Sequence, residues 1–169
     1  SRLERPKALG WWVRLTERRT DRTDLLDLAG FGFFLILIGS FLILRPDIPD
    51  LLREFLSDFE LRRVGALGIP VPRTNHPALY GIVFDFSLAM LIFEIFALLA
   101  RFVLNEGISK KASSLSGVVF WGGSAWILNM LSMGLLEWLT FLGWFVVVAG
   151  LSLITQSLFT IIAGSLGIP

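Results

Sequence analysis

The chain has 169 residues, 54% of them hydrophobic, and carries a net charge of +1 at neutral pH. The length suits a single domain, and the small net charge gives no reason to expect a nucleic-acid partner. The absence of cysteine excludes disulfides, thiolate catalysis and cysteine-ligated metal, and a single histidine, His76, excludes a histidine-rich metal centre. We therefore expect no cofactor.

Apolar residues are concentrated in parts of the chain. The mean hydropathy is +0.73, and Glu137 is the one charged residue between Leu115 and Pro169. Water does not solvate a surface with so little charge, so this part of the chain must face lipid or protein. The pattern predicts an all-α integral membrane protein with about four transmembrane helices.

The first 22 residues combine basic and aromatic side chains. Such a mixture is typical of a segment lying on a membrane surface, where anionic lipid attracts each cation by about 1 kcal/mol. We predict that residues 1–22 form a basic interfacial segment and that residues 23–169 form a single transmembrane helical domain. The alternative is that the basic residues are only a positive flank of the first span. The side chains expected at the lipid surface are Trp11, Trp12, Arg14, Arg18 and Arg19.

The first predicted span and the segment after it differ in charge. Residues 28–44 are apolar and form a helix of about 26 Å, which is short but adequate for a bilayer core of about 30 Å. In residues 48–64, apolar side chains recur at helical spacing and charged residues fill most other positions. This predicts an amphipathic surface helix that lies in the membrane interface or packs on a partner. The prolines of residues 65–77 then predict an extended or turn-like linker.

Three further spans are predicted at residues 78–104, 115–133 and 138–166, with a polar connection at residues 105–114. Four spans place both termini on the same side of the membrane. That side carries ten basic residues, whereas the opposite side carries five. The positive-inside rule therefore predicts that the termini lie on the cytoplasmic, matrix or stromal side.

Two carboxylates, Asp85 and Glu94, lie inside the second predicted span. Ionised groups in hydrocarbon usually face protein or water and have a partner. Nine residues separate the two, which is about half a turn beyond two full turns, so they face opposite sides of the helix and do not form a carboxylate pair. Asp85 lies closer to the span's entry, where headgroups or Arg73 are within reach. Glu94 lies near the bilayer middle. It could bond to another helix or another subunit, or it could have a proton or cation role.

Other polar groups in the predicted spans suggest helix contacts. Arg101 follows Glu94 by seven residues on nearly the same face, about 10 Å along the axis. Asn129 and Gln156 belong to the third and fourth spans, where amides commonly join membrane helices and sometimes line a pathway. Together with Asp85 and Glu94, these are the candidate intramembrane interaction sites.

Known catalytic and transport motifs are missing from the sequence. It contains no phosphate loop, nucleophile elbow, HExxH motif or channel selectivity filter, so we predict that the protein is not an enzyme. We expect a non-catalytic membrane subunit that anchors, stabilises or helps assemble a larger complex with lipid and other membrane subunits or copies of itself. The alternative is a small homo-oligomeric ion or proton-coupled transporter or channel that uses Glu94.

Overall fold

A computed structural model describes residues 28–165. Contacts divide the chain into two units, with the boundary between Ile38 and Gly39. The predicted interfacial segment, residues 1–22, lies outside the described residues, as do its lipid-surface candidates Trp11, Trp12, Arg14, Arg18 and Arg19. In chain order, the elements are α1 (Leu28–Leu44), α2 (Ile48–Ser57), β1 (Phe59–Val64), β2 (Leu67–Pro72), α3 (Pro77–Val103), α4 (Ile108–Ser132) and α5 (Trp138–Ser165).

Helices α3, α4 and α5 are long and apolar enough to cross a membrane. Their lengths of 27, 25 and 28 residues exceed the roughly 20 residues that a bilayer core requires. Helix α1 is shorter, and the chain bends by 91° at the break between α1 and α2. The described chain therefore has three candidate spans, or four if the bent pair α1 and α2 counts as one span.

The prediction of one amphipathic helix over residues 48–64 is wrong for the second half of that segment. The helix ends at Ser57, and residues 59–64 form strand β1, which pairs antiparallel with β2 from Phe59↔Pro72 to Val64↔Leu67. Gly65 turns the hairpin with a φ of +64°, a conformation that glycine adopts without steric cost. Pro70 and Pro72 are tolerated because each strand of a two-stranded sheet has an unpaired edge.

Helix α4 begins seven residues earlier than the predicted span. The polar residues 108–114 are helical and precede the apolar part of α4. A polar sequence can continue a helix outside the hydrocarbon, so the limits of a span and of its helix need not coincide. The polar connection between α3 and α4 is correspondingly reduced to residues 104–107.

Helix α4 packs against both α3 and α5 and is the most buried of the three long helices. Small residues on α4 permit this close approach, as is common between membrane helices. Gly123 faces Val148 of α5, and the Ser116 hydroxyl donates a 2.8 Å hydrogen bond to the Ser152 carbonyl oxygen. The buried core near one end of the helices consists of Tyr80, Ile127, Leu128, Leu131 and Phe141.

Candidate functional site

Asp85 lies on the exposed side of α3, and its carboxylate makes no hydrogen bond or ion pair with any described residue. Apolar side chains extend the same helical face at spacings of three and four residues. They are Leu88, Ile92, Phe96 and Leu99, each 39% to 66% exposed. Asp85 is therefore a carboxylate at one end of an exposed apolar face. The connection to Arg73 considered from the sequence is not formed, because Arg73 pairs with Glu60 at 2.9 Å.

Glu94 points the other way, toward α4. A methyl group built on Gly117 would lie 2.8 Å from the Glu94 carboxyl carbon and 3.0 and 3.1 Å from its two oxygens. The carboxylate therefore occupies the space that the missing side chain of Gly117 leaves on α4. Asp85 and Glu94 thus lie on opposite faces of α3, as their nine-residue spacing predicts.

Arg101 belongs to a charged cluster where α3 ends and α4 begins. Its Nη1 donates a 2.6 Å hydrogen bond to the Lys110 carbonyl oxygen, and its Nε lies 3.8 Å from the Glu106 carboxylate. Lys111 is buried and places its ammonium 5.2 Å from the centre of the Phe102 ring, within the range of a cation–π contact. This cluster links the two helices, and the roles of Glu106 and Lys111 in it were not recognised from the sequence.

Asn129 and Gln156 are not brought together. Ser116 of α4 contacts Ser152 of the antiparallel α5, and Gln156 lies one turn beyond Ser152. Asn129 lies 13 residues, about 20 Å, from Ser116 toward the other end of α4. Neither amide side chain hydrogen-bonds to a described residue. Together with Glu94 they do not form one polar path.

A hydrogen-bonded group of three side chains joins the hairpin to the start of α3. The Asp58 Oδ2 atom accepts hydrogen bonds from the Thr74 backbone N–H at 2.7 Å and from its hydroxyl at 2.8 Å, and lies 3.0 Å from His76 Nε2. These bonds, first those of Thr74 and then that of His76, lower the pKa of Asp58 from 3.8 to about 2. Thr74 and His76 follow Asp58 by 16 and 18 positions. Such a separation leaves no local pattern in the sequence, so this group was not predicted.

Aromatic rings hold the hairpin and α2 against the helix ends. Phe55 of α2 meets His76, Tyr80 and Trp138 edge-on at centroid distances of 5.4 to 6.1 Å. Phe59 of β1 also meets the Trp138 ring, at 6.0 Å. Such pairs contribute about 0.5–1.5 kcal/mol each beyond their buried area. The surface elements are therefore fixed on the helices by side-chain packing as well as by the Asp58 hydrogen bonds.

Within residues 28–165, no group of three or more metal-ligating side chains is arranged to hold a metal ion. The described chain instead has long apolar helices that carry few charged side chains. These properties fit a helical membrane protein. No family model, curated protein or solved structure matches this chain.

Proposed function

We propose that this protein is a non-catalytic integral membrane subunit that anchors, stabilises or helps assemble a larger membrane complex. The position of Asp85 carries the proposal. It lies eight residues, about 12 Å, from the start of α3 at Pro77. An ionised carboxylate at such a depth requires a partner or water, and the described residues supply no partner.

A helix of another subunit would satisfy this requirement. A lysine or arginine at matching depth would pair with Asp85, while small or apolar residues of the same helix would pack on the face of Leu88, Ile92 and Phe96. Polar contacts between membrane helices contribute on the order of 1 kcal/mol each. Their larger effect is to determine which helices associate and at what relative depth in the membrane.

The placement of Glu94 favours this proposal over transport. A pathway residue should line water, whereas the Glu94 carboxylate packs on α4 at Gly117. The homo-oligomeric transporter or channel remains the second candidate, because an intramembrane carboxylate is also the usual coupling group for protons and cations.

We further propose that both termini lie on the positive side of the membrane and that residues 1–22 bind its surface.

The first experiment is extraction of the protein from its native membrane in mild detergent, followed by measurement of the particle's mass and composition. We expect foreign subunits in fixed stoichiometry. Asp85→Asn and Asp85→Leu should release them, whereas Asp85→Glu should retain them because it keeps the charge. Val146→Ala is the control, since Val146 is an exposed apolar residue of α5. A pure homo-oligomer would refute the subunit proposal.

The Glu94→Gln substitution distinguishes the two candidates further. A structural role predicts lower stability of the helix pair or loss of a partner, without any effect of ion concentration. A transport role predicts lost flux in reconstituted vesicles with assembly intact. If neither stability nor flux changes, both assignments of Glu94 are wrong.

A further inference from the structure

A cavity of about 260 Å³ lies between the hairpin and the helix ends. Its lining comes from both strands, from residues 73–75, from the first turn of α3, from the end of α4, and from the turn into α5. The amino-terminal ends of α3 and α5 both meet this region, and each carries a partial positive charge from the helix dipole. The cavity therefore lies where the long helices end, which is where a membrane surface would lie if these helices cross a bilayer.

Three charged side chains line this cavity: Arg62, Arg73 and Glu137. The Nε atom of Arg73 bonds to Glu60 at 2.9 Å, and its two terminal amino groups make no hydrogen bond with a described residue. The side chains of Arg62 and Glu137 likewise form no hydrogen bond or ion pair within the described chain. The cavity thus presents to a ligand the Arg62 guanidinium, the terminal amino groups of Arg73, whose Nε is paired with Glu60, and the Glu137 carboxylate.

The remaining walls include packed aromatic rings and apolar side chains. The Tyr80 and Trp138 rings stack with centroids 6.1 Å apart, and Leu131 and Leu136 lie beside them. The backbone of Arg73 is anchored by a 3.1 Å hydrogen bond from its N–H to the Asp58 carbonyl oxygen, and its guanidinium is oriented by the Nε bond to Glu60. Such preorganisation lowers the entropy lost when a ligand binds.

We propose that this cavity binds the headgroup of an aminophospholipid. The Arg62 and Arg73 guanidinium groups would bind the phosphate, for which their planar donor geometry is suited. The Glu137 carboxylate would accept hydrogen bonds from the protonated primary amine. A volume of about 260 Å³ is below the usual range of drug-sized pockets, about 300–1,000 Å³, and suits a group as small as phosphoethanolamine.

A lipid is favoured over a soluble phosphate compound by the surroundings of the cavity. The helices that end there carry exposed apolar side chains along their length, so acyl chains would continue from the headgroup over those faces. The leucines in the lining would contact the glycerol and the first methylenes. A free phosphoethanolamine would leave these apolar contacts unused.

The test measures lipid binding to the delipidated full-length chain in detergent by native mass spectrometry. Phosphatidylethanolamine, phosphatidylglycerol and phosphatidylcholine are added separately at equal concentrations. We expect phosphatidylethanolamine to bind most tightly, because phosphatidylglycerol lacks the amine and the quaternary amine of phosphatidylcholine has no N–H to donate. The double variant Arg62→Ala and Arg73→Ala should weaken binding at least tenfold. Arg53→Ala is the matched control, since Arg53 is an exposed cation of α2 outside the cavity lining.

Glu137→Gln separates a specific site from general attraction to cations. This variant should weaken phosphatidylethanolamine binding and leave phosphatidylglycerol binding unchanged or stronger. Arg62→Lys and Arg73→Lys keep the charge and should retain intermediate affinity, which guards against misfolding of the alanine variants, as does an unchanged melting temperature. Equal binding of all three lipids, or equal loss in the Arg53→Ala control, would overturn the proposal. Binding of soluble phosphoethanolamine at the same affinity as the lipid would overturn its lipid part.

Discussion

The contact between Gly123 and Val148 predicts that Gly123→Ala destabilises the packing of α4 on α5. The added methyl group would lie 2.7 and 2.8 Å from the two γ carbons of Val148 and 3.3 Å from its Cβ. Val148 is only 7% exposed, and a β-branched side chain in a helix has one strongly preferred rotamer. The valine therefore cannot turn away, and the two helices must separate or strain.

The expected change in the free energy of unfolding of Gly123→Ala is the sum of two opposed effects. Overpacking of a well-packed core typically costs about 1–3 kcal/mol, whereas alanine is favoured over glycine in a helix by up to about 1 kcal/mol. Because three atoms of Val148 are too close, we expect overpacking to dominate, with a net loss of about 1–2 kcal/mol in the free energy of unfolding. The matched control is Gly143→Ala in α5, where nothing lies within 4 Å of the added methyl group. It should be neutral or slightly stabilising.

The assay is reversible unfolding in mixed micelles with increasing denaturing detergent, followed by far-ultraviolet circular dichroism. The double variant Gly123→Ala with Val148→Ala completes a mutant cycle, which measures the coupling between the two positions. Removal of both γ carbons should make Gly123→Ala nearly harmless in that background. Equal stabilities of Gly123→Ala and Gly143→Ala, or a coupling energy of zero, would refute the packing argument.

Two further predictions concern carboxylates. Gly117→Ala places its methyl group 2.8 Å from the Glu94 carboxyl carbon, but the end of a glutamate side chain can rotate, so the loss in the same unfolding assay should be smaller than for Gly123→Ala. Asp58 has a pKa lowered from 3.8 to about 2 in the folded chain, so its stabilising effect is complete above about pH 4 and is lost as the pH falls toward 2. Limited proteolysis at the hairpin should therefore accelerate over that pH range in the wild type, and Asp58→Asn should be cleaved readily without this acid dependence.

Much of the helical architecture is predictable because each long helix satisfies a local requirement. A run of about 20 apolar residues has few alternatives to a helix in lipid, since every backbone polar group must find a partner within the segment. The predicted spans at 78–104 and 138–166 agree closely with α3 and α5. The same periodicity places Asp85 and Glu94 on opposite faces of α3 before any contact is known.

The hairpin was not predictable by this reasoning, because strand pairing depends on residues distant in the chain. Phe59 fits the apolar stripe of a longer helix, and it also packs against Phe55 and Trp138 as the first residue of β1. One apolar side chain thus satisfies both interpretations. The hairpin is favoured over a longer helix by the hydrogen bonds from Thr74 to the Asp58 carboxylate and by the positive φ of Gly65.

The carboxylates of Asp58, Glu94 and Asp85 differ in the groups that surround them, and this difference is relevant to the proposed function. Asp58 is surrounded by hydrogen-bond donors, and Glu94 lies against the neighbouring helix at Gly117. Asp85 alone among these three lies exposed without a partner among the described residues. Under the subunit proposal, Asp85 is the one of these three carboxylates that another subunit would pair. We therefore expect the Asp85 variants to be the most direct test of the proposed function.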